Sequence, residues 1–227
     1  MKRMNGLTRR TTINYIEIEV LSERLFDEDT LKSFARIAAQ IASNAGTEEG
    51  RPSSRFCIES VREPIALIDD IIGGVGINQL LVPTADTYTG HYPVNERQIH
   101  RPLQYALVDL LTSIRSRDTI RYGCQHIEGI LKTMFENEIH GIHRKPLGQI
   151  VKDLKKRSIL GNDLIQQLEN LVTIMNIAKH EHGNDAIRIP DPLRTVESQV
   201  FNTHEAISMY FICRKLGVLL LAESSTP

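Results

Sequence analysis

The chain has 227 residues, 41% of them hydrophobic and 24% charged, with a formal net charge of -1 and a sequence pI of about 6.7. That is the balance of an ordinary globular chain, long enough for one large domain or two small ones. It exerts no global pull on nucleic acid or membrane, so binding of either kind would need a local patch.

Cys57, Cys124 and Cys213 are odd in number and widely spaced, each among apolar residues. They read as reduced, mostly buried thiols of a cytoplasmic protein, not as a disulfide frame or a zinc knuckle. The basic N-terminus, Met1 to Arg10, leads into no apolar stretch of the kind a secretory signal carries. The most apolar run, Ile207 to Ala222, is short for a membrane span and is broken by Arg214 and Lys215, so it reads as a buried helix.

In chain order, Thr11 to Val20 alternates apolar and polar residues and is rich in β-branched side chains, which predicts a short strand. Asp27-Glu28-Asp29-Thr30 supplies a helix start, with carboxylates at the positive end of the dipole. Leu31, Phe34, Ala35, Ala38, Ile41 and Ala42 follow at helical spacing as far as Gly46. Phe56 to Val61 and Ile65 to Ile72 are short apolar patterns. Gly73-Gly74-Val75-Gly76 lacks the Lys-Ser/Thr pair of a phosphate loop and reads as a helix stop. Pro83 to Arg97 is polar and turn-rich, and marks a boundary between residues 1–97 and 98–227.

Beyond it the pattern turns to long helices. Leu103, Ala106, Leu107, Leu110, Leu111 and Ile114 form one stripe, entered through Arg101-Pro102. Asp118 or Thr119 is placed to cap the next helix, with a stripe from Ile120 to Phe135. A loop with His140, Gly141, His143 and Pro146 leads to Leu147, Ile150, Val151 and Leu154. Asn162 or Asp163 then caps a run ending at Met175, and a last helix spans roughly Val196 to Ala222. Amphipathic helices on short loops predict a mainly α, antiparallel bundle behind a smaller mixed N-terminal region.

Chemistry concentrates at Met175-Asn176-Ile177-Ala178-Lys179-His180-Glu181-His182-Gly183, where the apolar stripe stops and titratable residues begin. Asn176 and His180 are helical neighbours at i,i+4, with Lys179 beside them. A near-neutral histidine suits a general base for a ribose hydroxyl, and the lysine a phosphate. The bland alternative is a solvated helix C-terminus closed by Gly183.

Together with the Leu147-Gly148 helix start, the stretch Gly123 to Lys132 and the terminal His204-Glu205-Ala206 helix, this turn resembles a HEPN domain of the abortive-infection C-terminal type, over about Tyr122 to Leu221. The resemblance implies a HEPN-like bundle that works as a homodimer, in a phage-defence or toxin–antitoxin setting. It implies RNA as target, metal-independent cleavage without a cofactor, and an antitoxin or other defence protein as a further partner. His180 would be the base, Asn176 would orient the phosphate or the histidine, and Lys179 would add charge. The family's motif arginine falls on Met175, and a thioether neither binds a phosphate bidentately nor stabilises its charge. That departure leaves open a catalytically inactive relative used for dimerisation or partner binding.

The basic run Lys152, Lys155, Lys156 and Arg157 is the candidate RNA-binding face, although no aromatic residues interleave it. A literal Arg-x4-His at Arg121 and His126 is a match that composition alone would produce roughly twice, and both residues read as surface or inter-helix contacts. His140-x-x-His143 and His180-x-His182 lack a carboxylate or cysteine at supporting spacing, so no metal is expected.

Overall fold

The computed structural model describes residues 18–45, 94–110, 116–180, 201 and 203–223. The described residues form helices and no strand, and assemble as a mainly α bundle.

Residues 18–25 are helical, which overturns the strand expected over Thr11 to Val20 as far as Ile18; residues 11–17 lie outside the described part. The period-2 alternation competed with a helical one, and the helical one wins through packing. Ile18 and Leu21 are buried at i,i+3 while Glu19 points to solvent. Helix α1 (Glu28–Ala45) begins at the acidic cluster. The Asp27 carboxylate accepts the Thr30 amide at 2.8 Å, and that bond holds the Asp27 carboxyl below its usual range.

Helix α2 (Val94–Val108) starts inside the stretch expected to be turn-like, so Pro102 lies within it and not at its entry. Proline brings no amide there, and the carbonyl one turn earlier loses its usual donor. Helix α3 (Ser116–Met134) begins ahead of both expected caps. Thr119 is instead a buried residue whose hydroxyl donates to the Ala106 carbonyl at 3.2 Å, tying α3 to α2.

A 3-10 turn (Ile142–Arg144) follows Gly141, whose φ of 69° glycine adopts without steric cost. Helix α4 (Leu147–Arg157) starts after Pro146 as the sequence suggests, and ends at Ser158 in the left-handed conformation. Helix α5 (Asn162–His180) takes Asn162 as its first helical residue, and the Ile165 amide donates to Gly161. The expected cap is thus displaced by one residue, and Asp163 accepts from Gln167 along the helix. Helix α6 (Thr203–Glu223) is the apolar C-terminal run; residues 196–200 of the expected helix lie outside the described part.

Helix α3 packs against α2, α4, α5 and α6, and α6 also packs against α1. Glu205 through Arg214 are all buried, so this half of α6 is enclosed on every side, as a helix stretch without a polar face must be. Phe34 of α1 stacks on Phe211 of α6 with centroids 4.9 Å apart and planes 6° apart, and Phe26 meets Phe34 edge-on. The segment 18–45 therefore shares one core with α6.

Two glycines set how closely α3 and α6 approach. A Cβ on Gly123 would sit 3.0 Å from the Cys213 sulfur, and one on Gly217 would sit 2.8 Å from His126 Nε2. Cys124 and Cys213 are free and buried between these helices. Burial, and then the neighbouring Cys124, push the Cys213 thiol well above its ordinary 9.0, so it is a packing group and not a nucleophile. Among the described residues, no helix is long and apolar enough to cross a membrane.

Candidate functional site

The C-terminal end of α5 follows from the helix period. Leu171, Ile174, Met175 and Ala178 make one buried stripe, and Asn176 falls on the opposite, exposed side. Lys179 is half-buried, and His180 is the last residue of the helix; Glu181, His182 and Gly183 lie outside the described residues. Met175, on the position of the motif arginine, is only 2% exposed and belongs to the core. A guanidinium there would point into hydrocarbon, so on this backbone the position suits a thioether and opposes a charge.

An arginine nevertheless reaches this turn from another helix. Arg117, half-buried on the first turn of α3, donates from Nε to the Ala178 carbonyl at 2.5 Å and from Nη2 to the Lys179 carbonyl at 3.3 Å. The last carbonyls of a helix lack intrahelical donors and carry the negative end of its dipole, so a cation is bound there by both effects. Sequence reasoning missed Arg117 because the contact spans 61 residues and leaves no local pattern. Its signal was modest: an arginine on a first helical turn, where dipole considerations alone favour an acid.

The expected RNA-binding run does not converge on this turn. Lys155 is ion-paired with Glu169 of α5 at 2.8 Å, and the Arg157 guanidinium donates to the Glu138 carbonyl. Lys152 and Lys156 are exposed on α4. Glu169 lies eleven residues before His180, about 16 Å along the helix at 1.5 Å per residue, so the run and the turn are separate places on α5.

The stretch Gly123 to Lys132 has a structural task of its own. Glu128 accepts the Leu147 amide at 3.0 Å and pairs with Lys132 at 2.6 Å, placing a carboxylate at the N-terminus of α4. Lys145 and Asp153 pair at 2.6 Å across the same turn, and the hydrogen bond from Lys145 holds the Asp153 carboxyl below its usual range.

No family model matches this chain, and no curated protein or solved structure matches it either.

The remaining candidates are accounted for within the fold. Arg121 pairs with Asp118 at 3.1 Å, while His126 is buried with Nδ1 2.5 Å from the Ile99 carbonyl. They are a surface pair and an inter-helix contact. His143 meets Glu136 at 3.1 Å and His140 is exposed. Among the described residues, no group of three His, Cys, Asp or Glu side chains is disposed to hold a metal ion. What the α5 end offers chemically is two cations, Arg117 and Lys179, with an exposed amide at Asn176. Such a set suits a phosphodiester better than a neutral or cationic partner.

Proposed function

We propose that this chain is a HEPN-like module of a phage-defence or toxin–antitoxin type system, acting on RNA at the C-terminal end of α5 as a metal-independent ribonuclease. The observation that carries this reading is Arg117, whose guanidinium is anchored on the Ala178 and Lys179 carbonyls. The turn whose own sequence lacks an arginine receives one from α3.

In this reading Arg117 and Lys179 bind the phosphate and offset the charge that builds on it during cleavage. Asn176 orients the phosphate or the histidine, and His180 takes the proton from the attacking ribose hydroxyl. A homodimer would bring two such turns together. The test is cleavage of a mixed RNA substrate in excess chelator by wild type, His180→Ala and Arg117→Ala. Loss in both variants, with folding intact by circular dichroism, supports the proposal. Undiminished cleavage by His180→Ala overturns it.

The burial of Met175 favours a second reading, a non-catalytic HEPN-like module used for dimerisation or for binding a defence-system partner. Arg117 would then be a helix cap and nothing more. Wild-type protein that leaves RNA intact but forms a dimer in solution would select this reading.

A further inference from the structure

The described aromatic rings fall into two groups. The phenylalanines and Tyr210 are buried in the core, and only Tyr105 and Tyr122 lie outside it. Tyr105 of α2 is 39% exposed and packs on half-buried Tyr122 of α3, with ring centroids 5.4 Å apart and planes tilted by 52°. Neither hydroxyl has a hydrogen-bond partner among the described residues. An exposed ring gains little from folding, because much of its apolar surface stays in water and is open to a partner.

The pair sits close to the α5 end. Tyr122 follows Arg117 by five residues on α3, about 7.5 Å along the axis at 1.5 Å per residue. Arg117 marks the edge of α3 that meets α5, through its bonds to the Ala178 and Lys179 carbonyls, and Tyr122 marks the edge that meets α2. The helical period sets Asp118, Arg121 and Gln125 between these edges, and all three are half-buried. Asp118 alone would repel a polyanion, but Arg121 Nη1 holds its carboxylate at 3.1 Å. The outer face of α3 thus has a guanidinium along one edge, with Lys179 beyond it, and open rings along the other.

We propose that Tyr105 and Tyr122 form a stacking platform for one base of a single-stranded RNA whose phosphate lies on Arg117 and Lys179. The platform depends on the α5 end being an RNA site, and it adds what that site recognises, an unpaired base beside the phosphate. A nucleotide presents an aromatic face and an anionic phosphate a short reach apart, and the two edges of α3 offer the matching surfaces. A duplex keeps its bases stacked on one another, so the platform selects single strands. Every base has a π face, so these rings give strand selection without a base preference.

The test is fluorescence anisotropy of the full chain with a labelled single-stranded 2′-O-methyl oligonucleotide, which lacks the attacking hydroxyl and stays intact, and with an abasic strand of equal length. Wild type should bind the base-bearing strand about tenfold more tightly than the abasic one. Tyr105→Ala should erase that difference, and Tyr105→Phe should keep it. Both variants should fold as wild type does, since Tyr105 is exposed. A purely structural effect of Tyr105→Ala would weaken both strands alike, and that result overturns the proposal. Wild-type binding that ignores the bases, or is absent up to about 100 μM, overturns it as well. So does a Tyr105→Ala variant that separates a dimer yet binds RNA as wild type does, because the rings then serve a second copy of the chain. Cleavage decides the ribonuclease reading separately. Base-dependent binding without cleavage removes that reading and keeps the platform, while His180-dependent cleavage with binding indifferent to Tyr105 does the reverse.

Discussion

Placing an arginine at Met175, the position that the HEPN resemblance gives to its motif arginine, should damage the protein. Met175 is 2% exposed on the stripe that α5 turns toward α3 and α4. Met175→Arg forfeits the burial of a large apolar side chain, about 1.5–3 kcal/mol, and places an unpaired guanidinium where its hydration is lost. Leaving a buried charge uncompensated costs about 3–5 kcal/mol, part of which the long stem recovers by carrying the charge toward the helix end. A net loss of about 4–6 kcal/mol follows, comparable with the whole stability of a typical domain, about 5–15 kcal/mol. Urea denaturation followed by far-UV circular dichroism measures it. Met175→Leu, which keeps volume and apolarity, should cost less than about 1.5 kcal/mol and Met175→Ala about 2–5 kcal/mol. If Met175→Arg unfolds cooperatively within about 1 kcal/mol of wild type, the position is not a core position and the assignment of the guanidinium to Arg117 loses its basis.

Arg117→Met should remove the donors to Ala178 and Lys179 and cost about 1–2 kcal/mol, with faster hydrogen exchange over the last turn of α5. Arg117→Lys should restore only part of this, since an ammonium cannot reproduce the planar fork; full rescue would refute the two-carbonyl geometry. Gly217→Ala gains about 1 kcal/mol of helix propensity but sets a methyl 2.8 Å from His126 Nε2, so a net loss of up to about 2 kcal/mol is expected. In a His126→Ala background the loss should shrink, and an additive double mutant would count against the contact.

Because desolvation holds the folded pKa of His204 below 6.5, the unfolded chain takes up this proton first. The neutral imidazole's contribution is therefore intact above pH 6.5 and is lost as pH falls through the folded pKa. His204→Gln should lose less of its urea midpoint than wild type between pH 7 and pH 5.5, and parallel losses would refute the assignment.

The helices from α3 to α5 were legible in the sequence because each carries an apolar stripe of period 3.6 longer than any competing pattern, and α6 because its apolar run is too long for a strand. Leu147 to Leu154 after Pro146 and the acidic start at Asp27 illustrate local chemistry and tertiary packing agreeing. The segment at Ile18 was misread because the alternation over Thr11 to Val20 fits a strand while Ile18 and Leu21 at i,i+3 fit a helix, and only their packing into the core decides between them. Pro102 was read as an entry because proline is best tolerated there, yet the surrounding stripe carries the helix through it. At the candidate site, Asn176 and Lys179 could be named from spacing. Arg117 could not, because its contact with α5 exists only once α3 and α5 are packed together.

The stacking of Phe34 on Phe211 bears on how a shortened version of this chain would behave. A fragment cut at residue 98 keeps α6 but strips away α1, and Phe211 would then face water beside other apolar side chains of α6. Exposed apolar surface of that kind drives self-association whatever the native assembly state. Dimers or larger particles formed by such a fragment would report the missing N-terminal helices and not a biological interface. The smallest piece whose oligomeric state carries meaning is therefore one that begins ahead of Ile18.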